Sequence, residues 1–284
     1  MQLKTAFLSF VLLLCPCALC YGQLSFLGVN GERGYSAMRG RYVWDLDNNF
    51  ILVPSYEFYR SSDDPDVEKT GTTHRYGLGV LYDFSDTWRG YVRVLYQPLA
   101  VNNAGISYYA GGIWQPFYRW GFLTDPFLEA RLGRAHYRIE DDDIGGVMDG
   151  TYRQRETNVQ LRAGAALGPW NLKTAWHKVI QYSNEPDPDI WFSWTDIPFM
   201  TAVVQGFLYE AVAAQVSFPT RFLTPYASAV RYRYAQADSS ETAVSAGVRF
   251  HWERTSFSGG VEVFEPRREE SRRTFFSMSV EIDF

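Results

Sequence analysis

The end of the chain alternates without a break. Phe276, Met278, Val280, Ile282 and Phe284 take every second position, and Ser277, Ser279, Glu281 and Asp283 fill the places between. Successive side chains of an extended strand point to opposite faces, so this pattern specifies a strand with one apolar and one polar side. The same period recurs at Tyr76, Leu78, Val80, Tyr82 and Phe84, with Arg75, Gly77, Gly79 and Asp83 between them. It returns at Val159 to Leu167, against Glu156, Asn158, Gln160 and Arg162, and again from Thr242 to Trp252. One such strand fits a soluble sandwich; a chain built almost wholly of them is more constrained.

Fourteen candidate strands can be read, near 23–30, 35–46, 50–60, 74–84, 88–98, 105–115, 126–140, 153–168, 170–182, 201–217, 223–236, 241–254, 256–265 and 273–284. Most have the roughly 9–11 residues that a tilted strand needs to cross a bilayer. Twelve is the alternative count. The 126–140 segment is expected to change register near Arg134, through a bulge.

The connections alternate in length. Asp47–Asn49, Ser85–Thr87, Gly168–Pro169, Pro219–Arg221 and Arg254–Thr255 are short, whereas 61–73, 140–152, 183–200 and 265–272 are long or charged. Short turns at one rim and long loops at the other are the asymmetry of a membrane barrel. Aromatic residues are expected in two belts at the headgroup levels. Trp44, Phe50, Phe84, Trp88, Trp120, Phe122, Trp170, Phe218, Phe222, Trp252 and Phe257 stand beside the short turns. Phe58, Tyr59, Tyr96, Tyr108, Tyr182, Tyr232, Tyr234 and Phe264 stand toward the long loops. The fold class is therefore read as all-β, a closed antiparallel transmembrane β-barrel.

Residues 1–22 have the three-part layout of a secretory signal: Lys4, an apolar stretch from Ala6 to Cys15, then small residues up to Gly22. Cleavage is expected after Gly22 or after Cys20, leaving 23–284 as the barrel. Leu19 just before Cys20 departs from a lipoprotein signal. All three cysteines (Cys15, Cys17 and Cys20) fall in this segment, so the exported chain has no disulfide to form. The 27 basic residues against 32 acidic ones, a formal charge of −5, leave no basic footprint for nucleic acid. No cofactor motif is present, and the Glu140–Asp143 run reads as a solvated loop because it lacks an ordered calcium-ligand spacing.

The leader, the alternating strands and the Phe276-to-Phe284 stripe together resemble bacterial outer-membrane β-barrel proteins, of the smaller porin-like channel type. The resemblance implies outer-membrane location, contact with outer-membrane lipid and lipopolysaccharide, and passage of small solutes. It also implies that Phe276, Met278, Val280, Ile282 and Phe284 act as the signal read by the barrel-assembly machinery.

With the apolar stripes toward lipid, the opposite positions line the lumen. The basic residues placed there are Arg39, Arg41, Arg75, Arg89, Arg93, Arg131, Arg162, Lys173, Arg231, Arg233 and Arg249, and acidic ones include Glu57, Glu129 and Glu156. The sequence has 23 Arg and 4 Lys, and guanidinium groups pair bidentately with carboxylates in a crowded polar interior. Either these residues set the field of a water-filled pore, or they pair to fill the barrel. Basic residues outnumber acidic ones in this set, which leans an open pore toward anions. Residues 184–200 are unusually apolar for a rim loop; Trp191, Phe192 and Trp194 mark them as a constriction or binding loop, or as packing over the barrel mouth. His74, His136, His177 and His251 have no GxSxG or HExxH context, so no catalytic residue is assigned.

Overall fold

The computed structural model describes residues 22–32, 35–46, 49–61, 71–100, 103–116, 119–120, 123–141, 150–186, 197–201, 207–235, 240–265 and 272–284. Strands β1 to β6 are Gly22–Gly31, Ser36–Leu46, Phe50–Ser61, Gly71–Ser85, Trp88–Ala100 and Asn103–Trp114. A two-residue β7, Arg119–Trp120, precedes β8 (Leu123–Asp141), β9 (Gly150–Leu167) and β10 (Trp170–Tyr182). The chain ends with β11 (Leu208–Ser217), β12 (Leu223–Tyr234), β13 (Glu241–Trp252), β14 (Thr255–Glu265) and β15 (Arg273–Asp283).

Sequential strands pair antiparallel, and the ring closes through β1 with β15 and β6 with β8. The β7 piece adds only to the end of β8, so the barrel has fourteen strands and the twelve-strand count is excluded. Closure satisfies the backbone of every strand laterally, which is what lets a sheet cross a bilayer. At the seam, the Phe284 N–H donates to the Gly22 carbonyl at 2.9 Å.

Side-chain alternation follows the sequence. Leu78, Val92, Leu161, Val212, Val244, Val261 and Met278 are exposed on the outside. Positions of the opposite parity on the same strands turn to the other face and include buried Arg75, Gln160, Glu262 and Ser277. An apolar exterior around a polar interior is the inverse of a soluble barrel and defines a membrane-spanning one.

The two rims differ as expected. β2–β3, β4–β5, β9–β10 and β13–β14 turn tightly at one rim, helped by left-handed residues Asn49 (φ 69°), Gly168 (φ 57°) and Glu253 (φ 51°). The belt at this rim is present: Phe50, Phe84, Trp88, Trp170, Phe222, Trp252 and Phe257 are all exposed. Trp120 and Phe122 lie outside the described side chains.

The second belt is a correction. Tyr96 and Tyr108 face outward, but Tyr59, Tyr182, Tyr232, Tyr234 and Phe264 turn into the barrel. The Tyr59 hydroxyl donates to Gln97 at 3.2 Å. Tyr232 stacks on Phe264 with centroids 5.8 Å apart, and Tyr182 packs on Phe207. These rings fill the mouth on the long-loop side instead of anchoring it in headgroups.

A second correction concerns β8. Its register with β9 runs unbroken from Phe127 opposite Gly164 to Asp141 opposite Gly150, through Arg134. The irregularity sits at Thr124–Phe127, where Asp125 takes φ 50° and Pro126 has no N–H for the ladder. The apolar residues change face near Arg134 without any slip. Leu132 ends the outer stripe, Arg134, His136 and Arg138 continue it, and Ala135 and Tyr137 are buried inside.

Several inward aromatics lie over a glycine directly across the ladder: Tyr91 opposite Gly111, Tyr109 opposite Gly133, Phe127 opposite Gly164 and Tyr226 opposite Gly247. A Cβ on Gly133 would fall 2.6 Å from the Tyr109 ring, so the glycine makes room for the ring to lie flat on the wall. The ladders at Gly111–Gly112 and Gly259–Gly260 are continuous; Gly111 and Gly260 leave no room for a Cβ, whereas Gly112 and Gly259 do.

Candidate functional site

The site is the barrel interior, and the polar parity of each strand builds it. On β2 to β5 the inward positions bring Arg39, Arg75 and Arg93 around a single carboxylate, Glu57. Arg75 Nε donates to Glu57 Oε2 at 2.8 Å. Arg93 Nη2 lies 3.6 Å from Glu57 Oε1, and Arg39 Nε lies 4.0 Å from Oε2. Glu57 and Arg75 are almost fully buried, at 6% and 3% exposure. Three guanidinium groups thus converge on one carboxylate, with the charge-assisted bond made by Arg75.

The adjoining wall, on β5, β6, β8 and β9, carries a second group. The Tyr91 hydroxyl donates to Glu129 Oε1 at 2.7 Å, Arg162 Nη1 lies 3.6 Å from Glu129 Oε2, and the Arg131 guanidinium sits 4.5 Å from the Tyr109 ring centre. Toward the short turns the interior opens. Arg89 pairs with Asp83, and Arg249 Nη1 lies 3.8 Å from Glu281 Oε2. Arg41, Lys173 and Arg249 are exposed on the inner face there.

Toward the long loops the interior is crowded. Glu156 accepts from the Tyr137 hydroxyl at 2.9 Å and from Asn158 at 2.6 Å, and Glu241 accepts from the Tyr232 hydroxyl at 2.9 Å. Residues 197–201 lie inside the barrel, and the strand expected from Thr201 begins only at Leu208. Ile197 and Met200 are each 6% exposed and pack with Ala175, Ala211, Ala213, Val230 and Tyr232. The Thr201 N–H donates to Glu262 Oε2 at 2.9 Å, and Ser228 Oγ donates to the Phe199 carbonyl at 3.3 Å. The β10–β11 connection therefore dips below the rim in its described part. Trp191, Phe192 and Trp194 fall outside the described residues.

Of the basic residues assigned inward, Arg39, Arg41, Arg75, Arg89, Arg93, Arg131, Arg162, Lys173 and Arg249 face the interior. Arg231 and Arg233 do not. Val230 and Tyr232 hold the inner positions of β12, at 2% and 1% exposure, so the arginines beside them point out. Their ladder partners are outward Val212, exposed to lipid, and Glu210. The error came from taking apolar residues as the lipid face: near the long-loop rim of β12 the buried side is apolar and the exposed side charged.

Glu241, not singled out from the sequence, also faces inward by parity with Ala243, as do Glu281 and Asp283 of the polar stripe that ends the chain. The nine inward-facing basic residues stand against Asp45, Glu57, Asp83, Glu129, Glu156, Glu241, Glu262, Glu281 and Asp283 on the inner face, so the count of these residues gives no lean toward anions.

The histidines divide in the same way. His74 lies outside with Nδ1 2.8 Å from the Tyr56 hydroxyl; His251 lies inside with Nε2 3.0 Å from Thr224 Oγ1; His177 is fully buried inside.

A membrane-spanning exterior, a closed fourteen-strand ring and a charged interior define a barrel of the bacterial outer-membrane class. By sequence, the chain matches no family model and no curated protein. Solved structures match it in fold. Acinetobacter baumannii OccAB1 aligns with a TM-score of 0.52 at 10% identity, over 94% of this chain and 97% of that one. A bacterial polysaccharide outer membrane secretin gives 0.51 at 11% identity, over 93% and 98%. A deltaS2 mutant of the monoaromatic hydrocarbon channel TodX, a protein of Pseudomonas putida, gives 0.51 at 9% identity, over 93% and 89%. At these identities the likeness establishes the outer-membrane barrel fold.

Proposed function

We propose that the protein is a narrow outer-membrane channel for small hydrophilic solutes, exported with loss of its N-terminal leader and inserted by the barrel-assembly machinery. The observation that carries the reading is the inward cluster of Arg39, Arg75 and Arg93 on Glu57. Fixed charges of both signs along the lumen wall create a local field, which orients polar solutes and disfavours apolar ones. Opening toward the short turns and crowding toward the long loops make the Ile197–Thr201 stretch the restriction. The reading assigns no catalytic step and no cofactor.

A second reading, a closed barrel acting as an anchor or surface-binding protein, is favoured by one specific feature: near the long-loop rim Gln97, Gln154 and His177 are completely buried inside. Liposome swelling separates the two. Proteoliposomes are expected to swell in small neutral and charged solutes, with rates falling steeply above the size of a monosaccharide. Swelling no faster than in protein-free liposomes, from a barrel shown to be folded, contradicts the channel and leaves the anchor.

A further inference from the structure

Charge is spread unevenly over the short-turn half of the lumen, even though the signs balance over the whole of it. Lys173 of β10 is exposed on the inner face, and among the described residues no carboxylate pairs with it. The charged groups that act on it are Arg249 and Arg162, both cations. Those two arginines have carboxylates at long range, Arg162 Nη1 at 3.6 Å from Glu129 and Arg249 Nη1 at 3.8 Å from Glu281. Both acids stand outside the trio, on β8 and β15, so Lys173 is left among like charges. Such charges repel, and an anion settling between them relieves the repulsion.

The surface around Lys173 carries more than charge. On one side its ladder partner is Gly164, and the Phe127 ring lies over that glycine. On the other side its partner is Gln215 of β11; one inward step toward the turn, Ser217 faces Tyr226 of β12. Tyr226 lies over Gly247, where a Cβ would fall 2.6 Å from its Cζ. Two aromatic rings therefore lie along the wall on either side of the lysine, each with no side chain beneath it. The Gln215 amide and the Ser217 hydroxyl share this inner face and, among the described residues, have no hydrogen-bond partner. Two positions above Lys173, Ala175 joins the apolar packing around Ile197 and Met200. The patch thus begins where the restriction ends.

Each of these groups fits a different part of one kind of solute. A flat ring takes the C–H face of a pyranose, and an open amide and hydroxyl take its hydroxyl groups. An ammonium without a counter-charge takes a carboxylate or phosphate oxygen. A bare anion uses only the cations, and a neutral sugar leaves them unsatisfied.

We propose that this patch, centred on Lys173 between Phe127 and Tyr226, is a binding subsite for an anionic sugar, a pyranose bearing a carboxylate or a phosphate. The subsite rests on the channel reading for passage of its solute, whereas binding needs only the open short-turn mouth.

Isothermal titration of the full refolded protein in neutral detergent at low salt tests it, with glucuronate, glucose-6-phosphate, glucose and acetate as probes. Heat-modifiable gel mobility confirms folding of each variant. The anionic sugars are expected to bind at least about tenfold more tightly than glucose or acetate, the scale of one charge-assisted bond. The tighter of the two shows whether carboxylate or phosphate is the group taken. Lys173→Gln is expected to lose about tenfold for both while leaving glucose unchanged. Tyr226→Ala is expected to weaken the sugars and spare acetate, and Arg231→Gln on the outer wall to change nothing. Anionic sugars bound no more tightly than glucose, no more tightly than acetate, or equally by Lys173→Gln each overturn the proposal. Should Tyr226→Ala fail to fold, the Lys173→Gln and acetate comparisons decide. Planar-bilayer recording on the same preparation separates the two failures: binding without conductance upholds the subsite and removes the channel, and conductance without binding removes the subsite alone.

Discussion

Arg75 and Glu57 occupy directly opposed positions on β3 and β4, inside the barrel, and the arginine donates to the carboxylate through Nε at 2.8 Å. Glu57 is thereby the hub of a cationic wall, since Arg39 and Arg93 reach the same side chain from the flanking strands. Removing it leaves three guanidinium groups without their common partner.

Glu57→Gln is expected to lower the stability of the folded barrel by about 3 kcal/mol, the scale for breaking a buried ion pair. In the same variant the lumen gains positive charge, so the reversal potential in a salt gradient moves toward anions. Urea unfolding in lipid vesicles and planar-bilayer recording read the two effects; a wild-type midpoint would show that the cluster does not bear on stability.

Gly133→Ala places a methyl group 2.5 Å from Asn158 Oδ1 and 2.6 Å from the Tyr109 ring. Overpacking of this kind costs about 1–3 kcal/mol. Folding yield into vesicles is expected to fall, and the double change Gly133→Ala/Tyr109→Ala is expected to recover part of it. No recovery would mean that the flat ring is not what requires the glycine.

Glu262→Ala removes the acceptor of the Thr201 N–H, one of the ties that keep residues 197–201 inside the barrel. Single-channel traces of this variant are expected to show a larger mean conductance with more frequent flicker. Traces identical to wild type would detach this stretch from the restriction.

Deleting Phe284 removes the ring that packs 6.5 Å from Tyr42 at the seam. The amount of heat-modifiable barrel in outer-membrane fractions is expected to drop several-fold, while refolding of purified chain into detergent changes little. Equal loss in both would assign Phe284 to stability and not to assembly.

The barrel class could be read from alternation, because period two is imposed by backbone geometry and by lipid on one side, and the two rims from the lengths of the connections; the strand count was left between twelve and fourteen. The interior was legible where that lipid contrast held, as for Arg75, Glu57 and Glu156. It failed near the long-loop rim. On β12, Val230 and Tyr232 are buried by the inward stretch around Met200, so the apolar parity there marks the inside and sent Arg231 and Arg233 to the wrong face. The same inversion explains Tyr59, Tyr182 and Phe264, and the apparent register change at Arg134. No local pattern distinguishes apolar packing against a returning loop from apolar packing against lipid, because that distinction depends on residues distant in the chain.

Single-channel recording of the refolded protein in a planar bilayer, with reversal potentials under a salt gradient, tests the central claim most directly. The channel reading predicts steady conductance with weak selectivity, shifted toward cations by Arg93→Ala and untouched by Arg231→Ala, whose side chain lies on the outer wall. A correctly folded barrel that passes no current, or one in which Arg231→Ala shifts selectivity while Arg93→Ala does not, would contradict it.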